Sequence, residues 1–176
     1  MAFTRPTPSG REVFFDSEDV IVSKTDLNGK ITYANDVFLD IAGYQEHEVV
    51  GQPHSMIRHP DMPRSVFKFM WETLEAGKEI FAYVVNMGKN GDHYWVLAHV
   101  TPTFGPNGRP IGYHSNRRVP DPGAVASIRQ IYAALLAEER RHTDKRDQVA
   151  AGTALLVKTL QDTGMAYDEF IWTLAA

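Results

Sequence analysis

The chain has 176 residues, a formal net charge of -4 and 43% hydrophobic residues, which suits one domain with an appendage and excludes overall disorder. No apolar run approaches the roughly 20 residues of a membrane-spanning helix, no face reads as a basic stripe for nucleic acid, and residues 1–11 lack the charged start and apolar stretch of a signal peptide. A cytoplasmic protein with no membrane insertion and no nucleic-acid partner is expected, and the zero cysteines exclude disulfides, thiolate catalysis and any cysteinyl adduct.

Residues 1–14 are polar and proline-rich and read as a flexible lead-in. Val20-Ile21-Val22 and Ile31-Thr32-Tyr33 flank Asn28-Gly29, the signature of a β-hairpin. Asn35 or Asp36 then suits the N-cap of a helix through Phe38 that stops at Gly43. A short helical turn spans Gln45–Val50. Pro63 is placed to open the longest helix of this region, whose stripe is Val66, Phe67, Met70, Trp71 and Leu74. Three strands follow, Ile80–Met87, His93–Thr101 and Pro110–Asn116, separated by Gly-rich turns. This order predicts an α+β domain, an antiparallel sheet with helices packed on one face.

After Pro120-Asp121-Pro122-Gly123 the pattern becomes helical. Val125, Ile128, Ile131, Tyr132 and Leu135 recur at 3–4 spacing, a second helix carries Leu155, Leu156 and Leu160, and a short one carries Tyr167, Phe170, Ile171 and Leu174. The first stripe, over residues 124–141, must be buried on the domain's own sheet or in a homodimer seam.

Asn35-Asp36-Val37-Phe38, Gly43-Tyr44 and Gly51-Gln52-Pro53-His54 resemble the start of a PAS domain. Arg58-His59-Pro60-Asp61-Met62-Pro63, Lys89 to Val96 and Gly112-Tyr113-His114-Ser115 are more specific, and resemble the FAD-binding PAS domains of bacterial aerotaxis receptors over residues 15–118. The resemblance implies a five-stranded PAS sheet with a pocket between sheet and helices, holding FAD non-covalently. The flavin's redox state would report oxygen or electron-transport status to a signalling partner, a chemoreceptor, kinase or similar output protein. The organisation expected is a lead-in over 1–14, a PAS sensory domain over 15–119 and a C-terminal helical tail over 120–176.

Physical reading of these motifs gives the candidate site. Prolines stiffen the Arg58–Pro63 segment, so its side chains sit at a pocket rim with little entropic loss. Arg58 suits flavin phosphates or ring carbonyls, and His54 and His59 suit hydrogen bonding or titration with the ring; a local Arg58–Asp61 salt bridge is the alternative. The amides of Asn35 and Asn86 match an isoalloxazine edge, with an N-cap as the other role for Asn35. Phe38, Trp71 and Trp95 either line a flat ring or belong to the core. The family resemblance places Ile80 beside the flavin, where the family's first meander strand typically carries a tryptophan. Haem, with His54, His59 or His99 as axial ligand, and a pocket with no cofactor are the alternatives. No metal-site or catalytic motif is present, which points to sensing and not to an enzyme.

Overall fold

In the computed structural model, which describes residues 5–175, β1 (Ile21–Thr25) and β2 (Ile31–Ala34) are joined by the expected tight turn. Gly29 adopts φ 75° there, a left-handed conformation disfavoured for L residues. A Cβ at this position would also lie 3.3 Å from the Trp71 indole. Then come α1 (Asp36–Ala42), α2 (Glu46–Val49), a 3₁₀ turn over His54–Ile57 and α3 (Arg64–Glu75). The meander is β3 (Ile80–Met87), β4 (His93–Phe104) and β5 (Pro110–Arg118). The five strands form one antiparallel sheet in the order β2-β1-β5-β4-β3.

Strand alternation divides the sheet into two faces. The register pairs Ser23 with Ser115, Ala98 with Arg117, Val100 with Ser115, Val84 with Val96 and Asn86 with Tyr94, and these residues share the inner face beneath α1–α3. Ile21, Ile31, Phe38, Val49, Ile57 and Val66 build the buried core on this side. Each such large side chain contributes about 1.5–3 kcal/mol by leaving water.

The outer face carries Phe81, Tyr83, Val85 and Trp95, and the tail covers it. α4 (Pro122–Arg140) starts at Asp121, whose side chain accepts from Ala124 N–H. Its Val125, Ile128, Tyr132 and Leu135 are buried within the chain itself, so the stripe finds its cover without a second copy. The Tyr132 hydroxyl donates to the Tyr83 carbonyl at 2.6 Å, and its ring stacks on Trp95. α5 (Lys145–Thr163) packs against α3 and α4, and α6 (Tyr167–Thr173) returns to β3, setting Trp172 on Phe81.

The segment expected to be a loose lead-in is tied to the sheet instead. Its first four residues lie outside the described ones. From Ser9 to Val13 it runs beside the start of β4, with Ser9 N–H donating to Gly91 O and Val13 N–H to His93 O, both below 3 Å. Arg11 and Ser9 also bond Asp92. The polar composition that suggested mobility supplies these partners.

A polar cavity between the sheet and the third helix

A cavity of about 170 Å³ lies between the inner face and α3. Its wall is apolar where α3 contributes Phe67, Met70, Trp71 and Leu74 and the sheet contributes Val84, Ala98 and Val100. Its other wall is polar: Ser23 and Thr25 from β1, His54 from the 3₁₀ turn, Asn86 from β3, Ser115 and Arg117 from β5. Among the described residues, Thr25 Oγ1, Asn86 Nδ2, Ser115 Oγ and Arg117 Nη1 are buried without a hydrogen-bond partner. Buried polar atoms are nearly always paired, so four orphans around one cavity mark a place where a ligand or water completes them.

Arg117 dominates the electrostatics. It is 4% exposed and forms no ion pair with a carboxylate among the described residues. Burial pulls its guanidinium down to about 10. One Nη2 donates to Ser23 Oγ at 2.9 Å and to His54 Nε2 at 2.6 Å. Because a guanidinium only donates, His54 Nε2 is the acceptor and the neutral ring keeps its proton on Nδ1. Burial, reinforced by Arg117, pulls His54 down to about 3, so the ring stays neutral at physiological pH.

The predicted site residues separate into three groups. His54, Arg58, Trp71 and Asn86 line the cavity. Trp71 is 37% exposed and meets Tyr113 edge-on at 5.3 Å, so it forms the lip of the wall. Arg58 lies over the Phe67 ring at 4.3 Å and donates to the Met62 carbonyl, while burial and the nearby Arg64 and Arg5 lower it to about 10. The second group supports the cavity from behind. Asn35 caps α1, its Oδ1 accepting from Phe38 and Val22 N–H and its Nδ2 donating to Val20 O, so its amide is committed to the fold on both atoms. Phe38 and Ile80 are buried in the core behind the lining.

The third group lies on the other side of the sheet. His59, Asp61 and Trp95 face a hollow shared with His93, Arg129, Tyr132 and Arg140. Arg58 forms a β-bridge with Asn86 at the sheet edge, so the extended segment sends Arg58 inward and His59 outward. The alternative Arg58–Asp61 salt bridge does not form: Asp61 is 3.4 Å from Arg140 of the tail. His99, considered for haem, is on the outer face, 2.7 Å from Glu79 and stacked on Phe81. His54, the histidine in the cavity wall, already has Nε2 occupied by Arg117, and this donor set does not fit an axial haem ligand. Sequence reasoning missed Ser23, Thr25, Ser115 and Arg117; the alternation Tyr113, Ser115, Arg117 along the last strand was the available signal.

A family model described as PAS fold matches residues 31–117, and with the five-stranded sheet and its helices it establishes that the chain carries a PAS domain. The domain is similar to part of the aerotaxis receptor of Escherichia coli (strain K12), 43% identical over 118 residues, covering 67% of this chain and 23% of that protein. The nitrogen fixation regulatory protein of Klebsiella pneumoniae is 27% identical over 117 residues, covering 66% of this chain and 24% of that one. The chain thus spans about a quarter of the length of these curated relatives. Among solved structures, a PAS domain from Colwellia psychrerythraea aligns with TM-score 0.53 and 22% identity over 57% of this chain and 86% of that one. A light-oxygen-voltage domain studied with a flavin analogue aligns with TM-score 0.54 and 23% identity over 65% and 87%. These two likenesses are to the fold. No helix among the described residues is long and apolar enough to cross a membrane.

Proposed function

We propose that the chain is a cytoplasmic flavin-binding PAS sensor that reports redox or oxygen status through protein contacts and not through catalysis. The observation that carries this reading is the set of orphaned polar atoms on Thr25, Asn86, Ser115 and Arg117 facing an aromatic and aliphatic wall. An isoalloxazine has the same division, a carbonyl-rich pyrimidine edge and an apolar dimethylbenzene edge. Bound there, it supplies a reversible electron store. Asn86 and Arg117 would hold the carbonyl edge, and Trp71 and Phe67 would cover the ring. Arg58 lines the cavity, Arg64 and Arg5 lie close enough to lower its pKa, and none of the three is in an ion pair among the described residues; this cationic side would suit the diphosphate of FAD. The similarity to an aerotaxis receptor supports the same reading.

The volume is smaller than the roughly 300–1,000 Å³ of usual ligand pockets, so seating a flavin would require the α3 wall to move outward. The same small volume favours, as a second reading, a small carboxylate metabolite held by Arg117. The output partner is a signalling protein reached through the tail. A homodimer through residues 124–141 uses the exposed side of α4, because the apolar side is already covered.

The deciding experiment is the absorbance spectrum of the purified protein before and after incubation with FAD. Two flavin bands in the near-ultraviolet and blue that bleach with dithionite are expected. A protein that stays colourless after incubation and gel filtration refutes the flavin reading.

A further inference from the structure

The helix that walls the cavity has no cap of its own. Pro63 stands at the N-cap of α3 and offers no side-chain hydrogen bond to the first turn. The missing acceptor comes from the tail, about 75 residues later. Glu139 of α4 is 3% exposed; one carboxylate oxygen accepts from Arg64 N–H at 3.0 Å, the other from Ser65 N–H at 2.9 Å and from the Ser65 hydroxyl at 2.7 Å. A carboxylate at a helix N-terminus is favoured by both the free N–H groups and the helix dipole. Here it also joins two parts of the chain. α5 closes over the contact at Gly152, where an added Cβ would lie 2.7 Å from both Glu139 Oε1 and Ser65 Oγ. The next two turns of the same helix present Phe67, Met70, Trp71 and Leu74 to the cavity.

We propose that Glu139 is a positioning residue that latches the tail onto α3 and thereby couples tail docking to occupancy of the cavity. The inference rests on the cavity being the ligand site. With the latch closed, α3 is held against the sheet; a ligand that needs more room shifts α3 and loosens Glu139 and Gly152 from Ser65. By linkage, loosening the tail must change ligand affinity by the same factor that the ligand changes tail docking. The route runs through the N-terminus of α3, which the last turn of α4 reaches directly.

The test uses the full chain and three variants, Glu139→Ala, Glu139→Gln and Gly152→Ala, with FAD as probe. Hydrogen exchange is followed across Arg64–Leu74 and across α5, and FAD affinity by fluorescence quenching. Exchange over Phe67–Leu74 is expected to rise in Glu139→Ala and less in Glu139→Gln, which keeps the bonds to Ser65. FAD affinity is expected to change by about tenfold, within the usual range of coupling between sites, and FAD added to the unaltered chain is expected to speed exchange in α5. If Glu139→Ala does not fold, Gly152→Ala carries the test by displacing α5 with Glu139 present. If the unaltered chain binds no FAD, the flavin reading fails on its own, and exchange over Phe67–Leu74 alone decides: a rise sustains the latch. Exchange confined to Arg64 and Ser65, with Phe67–Leu74 unchanged in every variant that folds, overturns it.

Discussion

Replacing Arg117 with methionine separates a ligand-binding arginine from a structural one, because the two roles predict opposite signs for stability. Its displacement from 12.5 to about 10 means that the fold disfavours the charged form by about 3 kcal/mol. Methionine fills similar space with no charge to desolvate, and buried ions replaced by apolar side chains are often neutral or stabilising. The change removes the Nη2 bonds to Ser23 and His54, a loss of about 1–2 kcal/mol. Ser23 Oγ and His54 Nε2 lie 3.1 Å apart and retain each other as partners. The net expectation is a gain of about 1–2 kcal/mol, or about 3–6 °C in Tm for a chain of this size. Flavin affinity falls at the same time by about five- to a hundredfold, because the ligand's carbonyl edge loses its cationic donor. Urea unfolding of the ligand-free protein and fluorescence titration with FAD measure the two effects separately. A loss of more than 1 kcal/mol on unfolding would refute the reasoning, since it would show that Arg117 holds the fold together and is not kept for a ligand.

Two further outcomes follow from the same geometry. His54 binds its proton near 6.5 when unfolded and at about 3 when folded, so its contribution is intact above pH 6.5 and is lost as pH falls toward 3. The loss is about 2 kcal/mol by pH 5, and a His54→Gln variant, which keeps an acceptor for Arg117, is expected to show a flatter stability profile between pH 7 and pH 5; parallel profiles would contradict a buried neutral ring. Asn35→Ala removes the α1 cap and two bonds to the start of β1, and is expected to lower stability by about 2 kcal/mol while leaving flavin affinity in the folded protein within twofold; a selective loss of flavin at unchanged stability would place Asn35 in the binding site.

Alternation and turn chemistry made the sheet legible: Asn28-Gly29, the Gly88–Gly91 loop and the Gly105–Gly108 turn delimit the strands that the structure contains. The strand ends were less visible, and β4 runs on to Phe104 because its pairing with β5 continues past the last alternating apolar residue. Within the site, local motifs identified Arg58, His54, Trp71 and Asn86 as neighbours of a cavity, but not which side of the sheet each segment would face. His59 follows Arg58 by one residue and lands on the opposite surface, because the segment pairs with β3 at its edge and a strand sends successive side chains apart. Arg117 was harder to place for a different reason. A lone arginine after an apparent strand end reads as solvated, and only the register with Ala98 carries it inward. Glu139 belongs to the charged run Glu138-Glu139-Arg140-Arg141, which by sequence alone reads as a solvated helix face; its partner, the uncapped start of α3, is about 75 residues away.

Cavity size and tail docking constrain each other. The polar wall of the cavity is built on β1, β3 and β5, whose positions are fixed by continuous ladders, so it cannot retreat without breaking backbone hydrogen bonds. The opposite wall is α3, held by side-chain packing and, at its N-terminus, by Glu139. Any ligand larger than the present volume therefore displaces α3 in preference to the sheet. Displacement at the Phe67 end works directly against the Glu139 bonds, whereas displacement at the Leu74 end, about two and a half turns from the latch, leaves them intact. A flat ring seated beneath Phe67 and Arg58 thus reaches the tail, and a small carboxylate resting only on Arg117 does not. The two readings of the cavity accordingly predict different behaviour in α5, and the tail becomes the reporter that distinguishes a flavin from a smaller anion.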